Sequence, residues 1–102
     1  MDIVDGVEIY DKTFPNDISL FQNYPNPFNP VTEIQWNMPL HGEVSINIYN
    51  IRGQFMENLY DGMKQSGVHH INWNAESYPS GIYIYSLTMD DNVLQKKMIL
   101  IK

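Results

Sequence analysis

A chain of 102 residues suits a single domain with a modest core, and its 43% hydrophobic content excludes a disordered polymer. The formal charge of −6, with only six lysine and arginine residues, argues against nucleic acids and anionic membranes as partners. No apolar run reaches the roughly 20 residues that span a bilayer, and the lack of cysteine removes disulfides and thiolate chemistry.

The first part of the chain is strongly acidic. Residues 1–20 carry five acidic side chains against Lys12, a net charge of −4, which leaves −2 for the remainder. This imbalance predicts an acidic, solvated linker over residues 1–19 and a folded domain over residues 20–102. The stretch VEIY alternates in hydropathy, so a first edge strand is the alternative for this part of the chain.

The stretch NYPNPFNP, residues 23–30, contains three of the six prolines and is called the proline segment below. Each residue before a proline is restricted to extended geometry, so this segment is expected to be stiff. Its asparagines can hydrogen-bond nearby backbone groups. Tyr24 and Phe28 are the only large apolar residues of the segment. Phe28 is expected to plug one end of the fold.

An apolar period of two follows and predicts half-buried antiparallel strands. Gly53 can take the positive φ that a hairpin turn requires, and an acidic turn at residues 90–92 is expected to join the last two strands. The strand after Gly53 is expected to be irregular, with Met56 and Leu59 inward, and residues 61–67 are expected to form a loop. The other inward residues are predicted to be Ile34, Trp36, Met38, Val44, Ile46, Ile48, His69, Ile71, Trp73, Tyr83, Tyr85, Leu87, Met98 and Leu100.

Six or seven short strands, separated by turn signals, predict an all-β fold. The expected architecture is an immunoglobulin-like antiparallel β-sandwich of about seven strands. No segment holds a helical period.

No catalytic, cofactor or metal site is predicted. His69 and His70 are neighbours on a strand and point to opposite faces, so they cannot share one metal ion. His69 is instead expected to pack in the interior and to hydrogen-bond a loop. The Asp90 turn lacks the alternating oxygen ligands of a calcium loop, and no serine has a nucleophile elbow.

A carbohydrate-binding module is the main alternative function, because aromatic side chains on a sandwich can form a sugar platform. Most of the aromatic residues fall on the inward phase, where they are expected to fill the core. Only Tyr49, Tyr60 and Tyr78 are expected to point outward. A purely structural spacer domain is the third possibility.

Five stretches follow one another from about Leu20 to Lys102: LFQNYPNPFNPVTEIQWNMP, VSINIYNIRGQ, GVHHINWN, SGIYIYSL and KKMILIK. Together they closely resemble the type A C-terminal sorting domain of type IX secretion substrates, found in Bacteroidetes and related bacteria. The motifs also resemble the immunoglobulin-like domain of flagellar hook-capping proteins, which supports the sandwich. Where many family members carry an acidic residue and glycine after the tryptophan, this chain reads NAE.

The resemblance implies a label that directs an attached cargo through the outer-membrane type IX translocon to the cell surface or beyond. It implies the translocon, an upstream cargo domain and, in many systems, a surface sortase as partners, with the sortase cut expected within the acidic linker. No nucleic acid, membrane insertion or cofactor is expected, as the charge, the hydropathy and the lack of a predicted site already indicate.

Two sets of residues follow from the resemblance. Candidate translocon-recognition residues are Asn23, Pro25, Asn26, Pro27, Phe28, Asn29, Lys96, Lys97 and Lys102. Candidate structural motif residues are Tyr49, Gly53, His69, Trp73, Gly81 and Tyr83. The three lysines hold half of the positive charges of the chain within its last seven residues. The last strand is expected to present an open edge, and its final two residues are expected to be frayed.

Overall fold

The computed structural model describes residues 17–102, and all their regular structure is β-strand. Within these residues no helix is long and apolar enough to cross a membrane. The strands are β1 (Ser19–Leu20), β2 (Val31–Met38), β3 (Gly42–Asn50), β4 (Phe55–Lys64), β5 (Gly67–Asn74), β6 (Gly81–Met89) and β7 (Asn92–Leu100).

The strands form two antiparallel sheets that pack face to face. The three-stranded sheet has the order β1-β2-β5, and the four-stranded sheet has the order β4-β3-β6-β7. The chain passes between the sheets three times after β2. The central strand of the smaller sheet is β2, and the central pair of the larger sheet is β3–β6. The predicted β-sandwich of about seven strands is confirmed.

The core lies between the sheets and is made by alternate residues of each strand. Trp36, Ile46, Tyr85 and Met98 are completely buried, while their strand neighbours point to the outer faces. The predicted inward phase is confirmed on β2, β3, β6 and β7. On β5 only Trp73 is fully buried, and the other inward residues are half-buried.

β4 is longer than the sequence predicts. Register shifts against β3 produce the expected irregularity, and Met56 and Leu59 pack against the core as predicted. The predicted loop over residues 61–67 is wrong, because β4 continues to Lys64. The first residues of β3 pair with the last residues of β4, as far as the pair Gly42–Lys64. Within this part of β4, Gly62 has a φ of 155°, which glycine adopts without strain.

Gly53 lies in the turn between β3 and β4 with a φ of 82°, as predicted. The Asn50 side chain closes this turn, since its Oδ1 accepts hydrogen bonds from the backbone N–H groups of Arg52 and Gln54 at 2.9 and 3.0 Å. The turn between β6 and β7 is tight, and Asp90 there has a φ of 54°.

The described part of the chain starts just before β1. Ser19 pairs with Asn37, and Ile18 packs against the core, so the sheet begins one residue before the predicted boundary at residue 20. Residues 1–16, with most of the predicted acidic linker and the alternative strand VEIY, lie outside the described residues.

Candidate functional site

The proline segment runs along the outer edge of β7. Phe28 forms a parallel bridge with Leu100. The backbone N–H of Phe28 donates to the Ile99 carbonyl at 2.9 Å, and the Ile101 N–H donates to the Phe28 carbonyl at 3.0 Å. The peptide bonds before Pro25, Pro27 and Pro30 are all cis.

Side chains extend this pairing along β7. Asn26 Oδ1 accepts a hydrogen bond from the Ile99 N–H at 2.9 Å, and Gln22 Nε2 donates to the Lys97 carbonyl at 2.7 Å. The main-chain groups of β7 that face away from β6 are therefore occupied from Lys97 to Ile101. The expectation of an open edge is wrong for this half of the strand, because the proline segment already covers it.

The final two residues are held as well. The Lys102 N–H donates to Ser80 Oγ at 3.0 Å, and its Nζ donates to the Glu76 carbonyl. Together with the bond from Ile101 to Phe28, these contacts anchor the end of the chain. The expectation of a frayed strand end is wrong, because the neighbouring loop and the proline segment supply partners.

Asn23 fixes the start of the proline segment from inside the fold. Its side chain is buried, and its Nδ2 donates to Thr32 Oγ1 at 2.9 Å and to the Pro25 carbonyl at 3.1 Å. Thr32 Oγ1 donates to the same carbonyl at 2.8 Å. Tyr85 completes the arrangement, because its hydroxyl accepts from the Asn23 N–H at 2.8 Å and donates to the Phe21 carbonyl at 2.7 Å.

Phe28 plugs one end of the sandwich, as predicted, by joining a cluster of aromatic rings. The centroid of its ring lies 5.8 Å from that of Trp73. The Trp73 ring also packs against Tyr83 and Tyr78, with centroid separations of 5.5 and 5.6 Å. Glu57 ties two of these rings to β4, since its Oε1 accepts from Trp73 Nε1 at 3.0 Å and from the Tyr78 hydroxyl at 3.1 Å.

The cluster overturns the outward prediction for Tyr78, which is half-buried against the core. Tyr60 is half-buried there too, because an irregular strand does not keep a strict alternation. Only Tyr49 points outward as predicted, and it packs edge-on against Phe55. The three tyrosines therefore do not form the line of exposed rings that a sugar platform built from them would need.

The remaining motif residues have structural positions. A ring nitrogen of His69 lies 2.7 Å from the Gln65 carbonyl, and its ring packs 5.7 Å from Trp36, as predicted for a packed histidine. Gly81 begins β6, where it pairs with Leu100. The Tyr83 hydroxyl donates to the Pro79 carbonyl at 2.6 Å.

The tyrosines at this end of the fold have altered acidity. Burial raises the pKa of Tyr85 to about 12, partly offset by its bond from the Asn23 N–H. Burial also raises the pKa of Tyr83, and burial together with Glu57 raises that of Tyr78. All three are therefore neutral hydroxyl donors at ordinary pH. Among the described residues, no group of three acidic or histidine side chains is placed to bind a metal ion.

The predicted recognition residues lie together but differ in accessibility. Asn23 and Phe28 are buried, and Lys96 is half-buried. The exposed members are Pro25, Asn26, Pro27, Asn29, Lys97 and Lys102, and they lie along the covered edge of β7 with the 78% exposed ring of Tyr24. Sequence reasoning missed Gln22, Thr32 and Glu57, because the bonds of these side chains join separate parts of the fold: Gln22 to Lys97, Thr32 to Asn23, and Glu57 to Trp73.

Comparison with known proteins gives a consistent family and fold. Residues 22–102 match the family model described as secretion system C-terminal sorting domain. No curated protein sequence matches the chain significantly.

Two solved structures from Porphyromonas gingivalis are similar in fold. Dimeric latent PorU matches 93% of this chain with a TM-score of 0.67 and 16% identity. PorZ, an essential bacterial surface component of the type IX secretion system, matches 81% with a TM-score of 0.55 and 21% identity. The chain spans only 10% and 11% of the lengths of these two proteins.

Proposed function

The chain belongs to the family of secretion system C-terminal sorting domains, and from that membership we propose that it directs an attached cargo protein across the outer membrane by type IX secretion. The cargo then reaches the cell surface or the extracellular space. The sorting domain is not itself catalytic, so the activity of the whole protein lies with the cargo.

The observation that carries this proposal is the extent of the family match. It covers residues 22–102, which include six of the seven strands and the whole proline segment. The proline segment is also the part of the fold that a generic sandwich does not need. It adds a covered edge and a stiff exposed surface to the domain.

We assign recognition to the exposed residues of this surface, with the outer-membrane translocon as the partner. Pro25, Pro27 and Asn29 present the segment to solvent, and Lys97 and Lys102 place positive charge beside it. Asn23 and Phe28 support recognition indirectly by holding the segment in place. A preformed surface of this kind loses little conformational entropy on binding.

A secretion assay tests the function. The full chain is fused behind a signal peptide and a reporter enzyme, and the fusion is produced in a bacterium with a type IX system. We expect the reporter at the cell surface or in the medium, and in the periplasm of a matched strain without the system. A reporter that stays in the periplasm of both strains would refute the proposal.

The same fusion tests the proposed linker and sortase cut. If a surface sortase removes the domain, mass spectrometry of the exported reporter will place its new C-terminus within residues 1–19 or upstream of them. An exported reporter that retains the whole sandwich would show that this host exports the domain without cleavage.

A further inference from the structure

The outer face of the four-stranded sheet carries an exposed apolar stripe. We define the apolar stripe as Tyr49, Phe55, Ile82, Ile84 and Ile99. Phe55 on β4 pairs with Tyr49 on β3, Tyr49 with Ile84 on β6, and the neighbouring pair Ile82–Ile99 joins β6 to β7. The stripe therefore crosses all four strands at one end of the sheet.

Three of the five stripe residues are open to solvent, and Tyr49 and Ile84 are half-buried. Phe55 is 60% exposed, and Ile82 and Ile99 are each 40% exposed. The outer face of the other sheet differs, because its β2 and β5 side chains are polar except for Val31 and Val68 near the strand ends. A cluster of apolar side chains confined to one face is typical of a protein contact surface.

Charge on this face is divided along the strands. At the stripe end, Lys97 continues the row from Ile84, and Arg52 lies in the turn before Phe55. At the opposite end, Glu43, Asp61 and Asp90 line one shallow cleft. The chain is acidic overall, so the stripe lies at a local reversal of sign.

The stripe also adjoins the covered edge of β7. Lys97 and Ile99, which lie on the stripe face, are the residues whose main-chain groups bond to Gln22 and Asn26. The proline segment and the stripe are therefore neighbouring parts of one surface.

These positions distinguish between possible occupants. A second copy docking stripe against stripe would bring its own Lys97 and Arg52 against the same basic residues, which is unfavourable. A partner that presents apolar side chains surrounded by carboxylates matches both the stripe and its charge.

We infer that the apolar stripe is the docking face for an outer-membrane protein of the secretion machinery, one with an apolar contact surface rimmed by acidic residues. This inference rests on the proposed export function. It adds a second contact region to the proline segment and gives Lys97 a role in both.

Export of the reporter fusion tests the inference with paired variants of the full chain. Phe55→Thr combined with Ile84→Thr removes apolar contact area and places threonine, which favours strands, at both positions. Loss of central apolar contacts typically lowers affinity about tenfold or more, so we expect exported reporter to fall by about that factor. Val31→Thr combined with Val68→Thr on the other sheet is the matched control, and its export is expected to equal that of the unchanged chain.

A charge variant keeps the test independent of apolar packing. Arg52→Glu reverses the sign beside the stripe without touching the proline segment's surface and is expected to reduce export, whereas Lys64→Glu at the far end of β4 is expected to leave export unchanged. Each purified full chain is compared by thermal unfolding, and unchanged midpoints are expected because the altered side chains are partly or fully exposed. Should the apolar double variant fail to fold, Arg52→Glu decides the question alone.

Each result has a definite meaning. If the unchanged fusion is exported and both stripe variants are exported equally well, the docking inference is wrong and the export function stands. If the unchanged fusion is not exported, the docking inference and the proposed export function are both wrong. A chain that sediments as a dimer, and that Phe55→Thr converts to a monomer, would overturn the inference in favour of self-association.

Discussion

Tyr85 connects the interior of the sandwich to the beginning of the proline segment. Its ring fills the core, while its hydroxyl bonds to the backbone of Phe21 and Asn23. The sequence predicted the inward position from the period of two. It could not predict the hydroxyl contacts, because they join residues more than 60 positions apart.

Replacing Tyr85 by phenylalanine is expected to destabilise the domain by about 1–3 kcal/mol, because two backbone groups lose a buried partner. Urea unfolding near neutral pH measures this difference. Tyr83→Phe is the matched control, since it also removes one hydroxyl but leaves only the Pro79 carbonyl without its donor. Equal stability of Tyr85→Phe and the unchanged chain would contradict the buried bridge.

The stabilising effect of the Tyr85 hydroxyl should disappear at high pH. The folded pKa of Tyr85 is about 12, against 10.0 for a free tyrosine, so the neutral hydroxyl is favoured in the folded state. Below pH 10 the contribution is fully present, and it is lost as the pH rises towards 12, because the unfolded chain ionises first. The advantage of the unchanged chain over Tyr85→Phe is expected to shrink by about 1 kcal/mol at pH 11. An advantage that stays constant to that pH would contradict the raised pKa.

Trp73 is the central ring of the aromatic cluster, and its contacts explain a large expected effect. Trp73→Ala should cost about 3–5 kcal/mol of a total stability of about 5–10 kcal/mol. The substitution leaves a cavity in the core and removes the hydrogen bond from Trp73 Nε1 to Glu57. Tyr24→Ala is the control, since that ring is 78% exposed and its removal should matter little. Thermal unfolding of the two variants compares them, and a normal midpoint for Trp73→Ala would refute its central role.

At the scale of elements, the proline segment behaves as an extra edge that covers β7. Its stiffness and the plugging role of Phe28 follow from local residue types, so both could be predicted. The strand that it pairs with could not be predicted, because the pairing joins the beginning and the end of the domain. The same limit explains β4, where an Asp-Gly pair reads as a turn but a neighbouring strand extends the sheet through it.

Asn26 provides a local test of this covered edge. Asn26→Ala removes the acceptor for the Ile99 N–H and is expected to cost about 1 kcal/mol. Amide hydrogen exchange should rise at Ile99 and Ile101, while amides of β3 keep their protection. Asn29→Ala, an exposed asparagine of the same segment, is the control. Unchanged exchange at Ile99 in the Asn26 variant would show that this bond does not hold the edge.

At the scale of the molecule, the sandwich fold could be predicted from the sequence, but the arrangement of the recognition residues could not. The sandwich follows from alternation, which is written into each strand separately. The position of the recognition residues depends on how distant strands meet, so the sequence could name Lys97 and Asn26 but could not bring them to one edge. The apolar stripe is a further example, because its members come from four strands and become neighbours only through sheet register.

The start of the domain can be located by deletion. Leu20 is buried against the core, Ile18 packs beside it, and Ser19 pairs with Asn37, so β1 is part of the sandwich. A chain that begins at Asp17 is expected to be as stable as the full chain. A chain that begins at Phe21 loses the burial of Leu20 and the end of the three-stranded sheet, and should be less stable by about 2–4 kcal/mol. Urea unfolding of the three chains gives the comparison.

The outcome also bears on how a cargo is attached. If the chain that begins at Phe21 is markedly weaker, the sandwich includes β1, and any cut within residues 1–16 would release an intact domain. If the chains that begin at Asp17 and Phe21 are equally stable, β1 contributes nothing and the boundary lies at residue 20, as the charge pattern alone predicted. A loss of stability already on starting at Asp17 would instead place part of residues 1–16 within the folded unit.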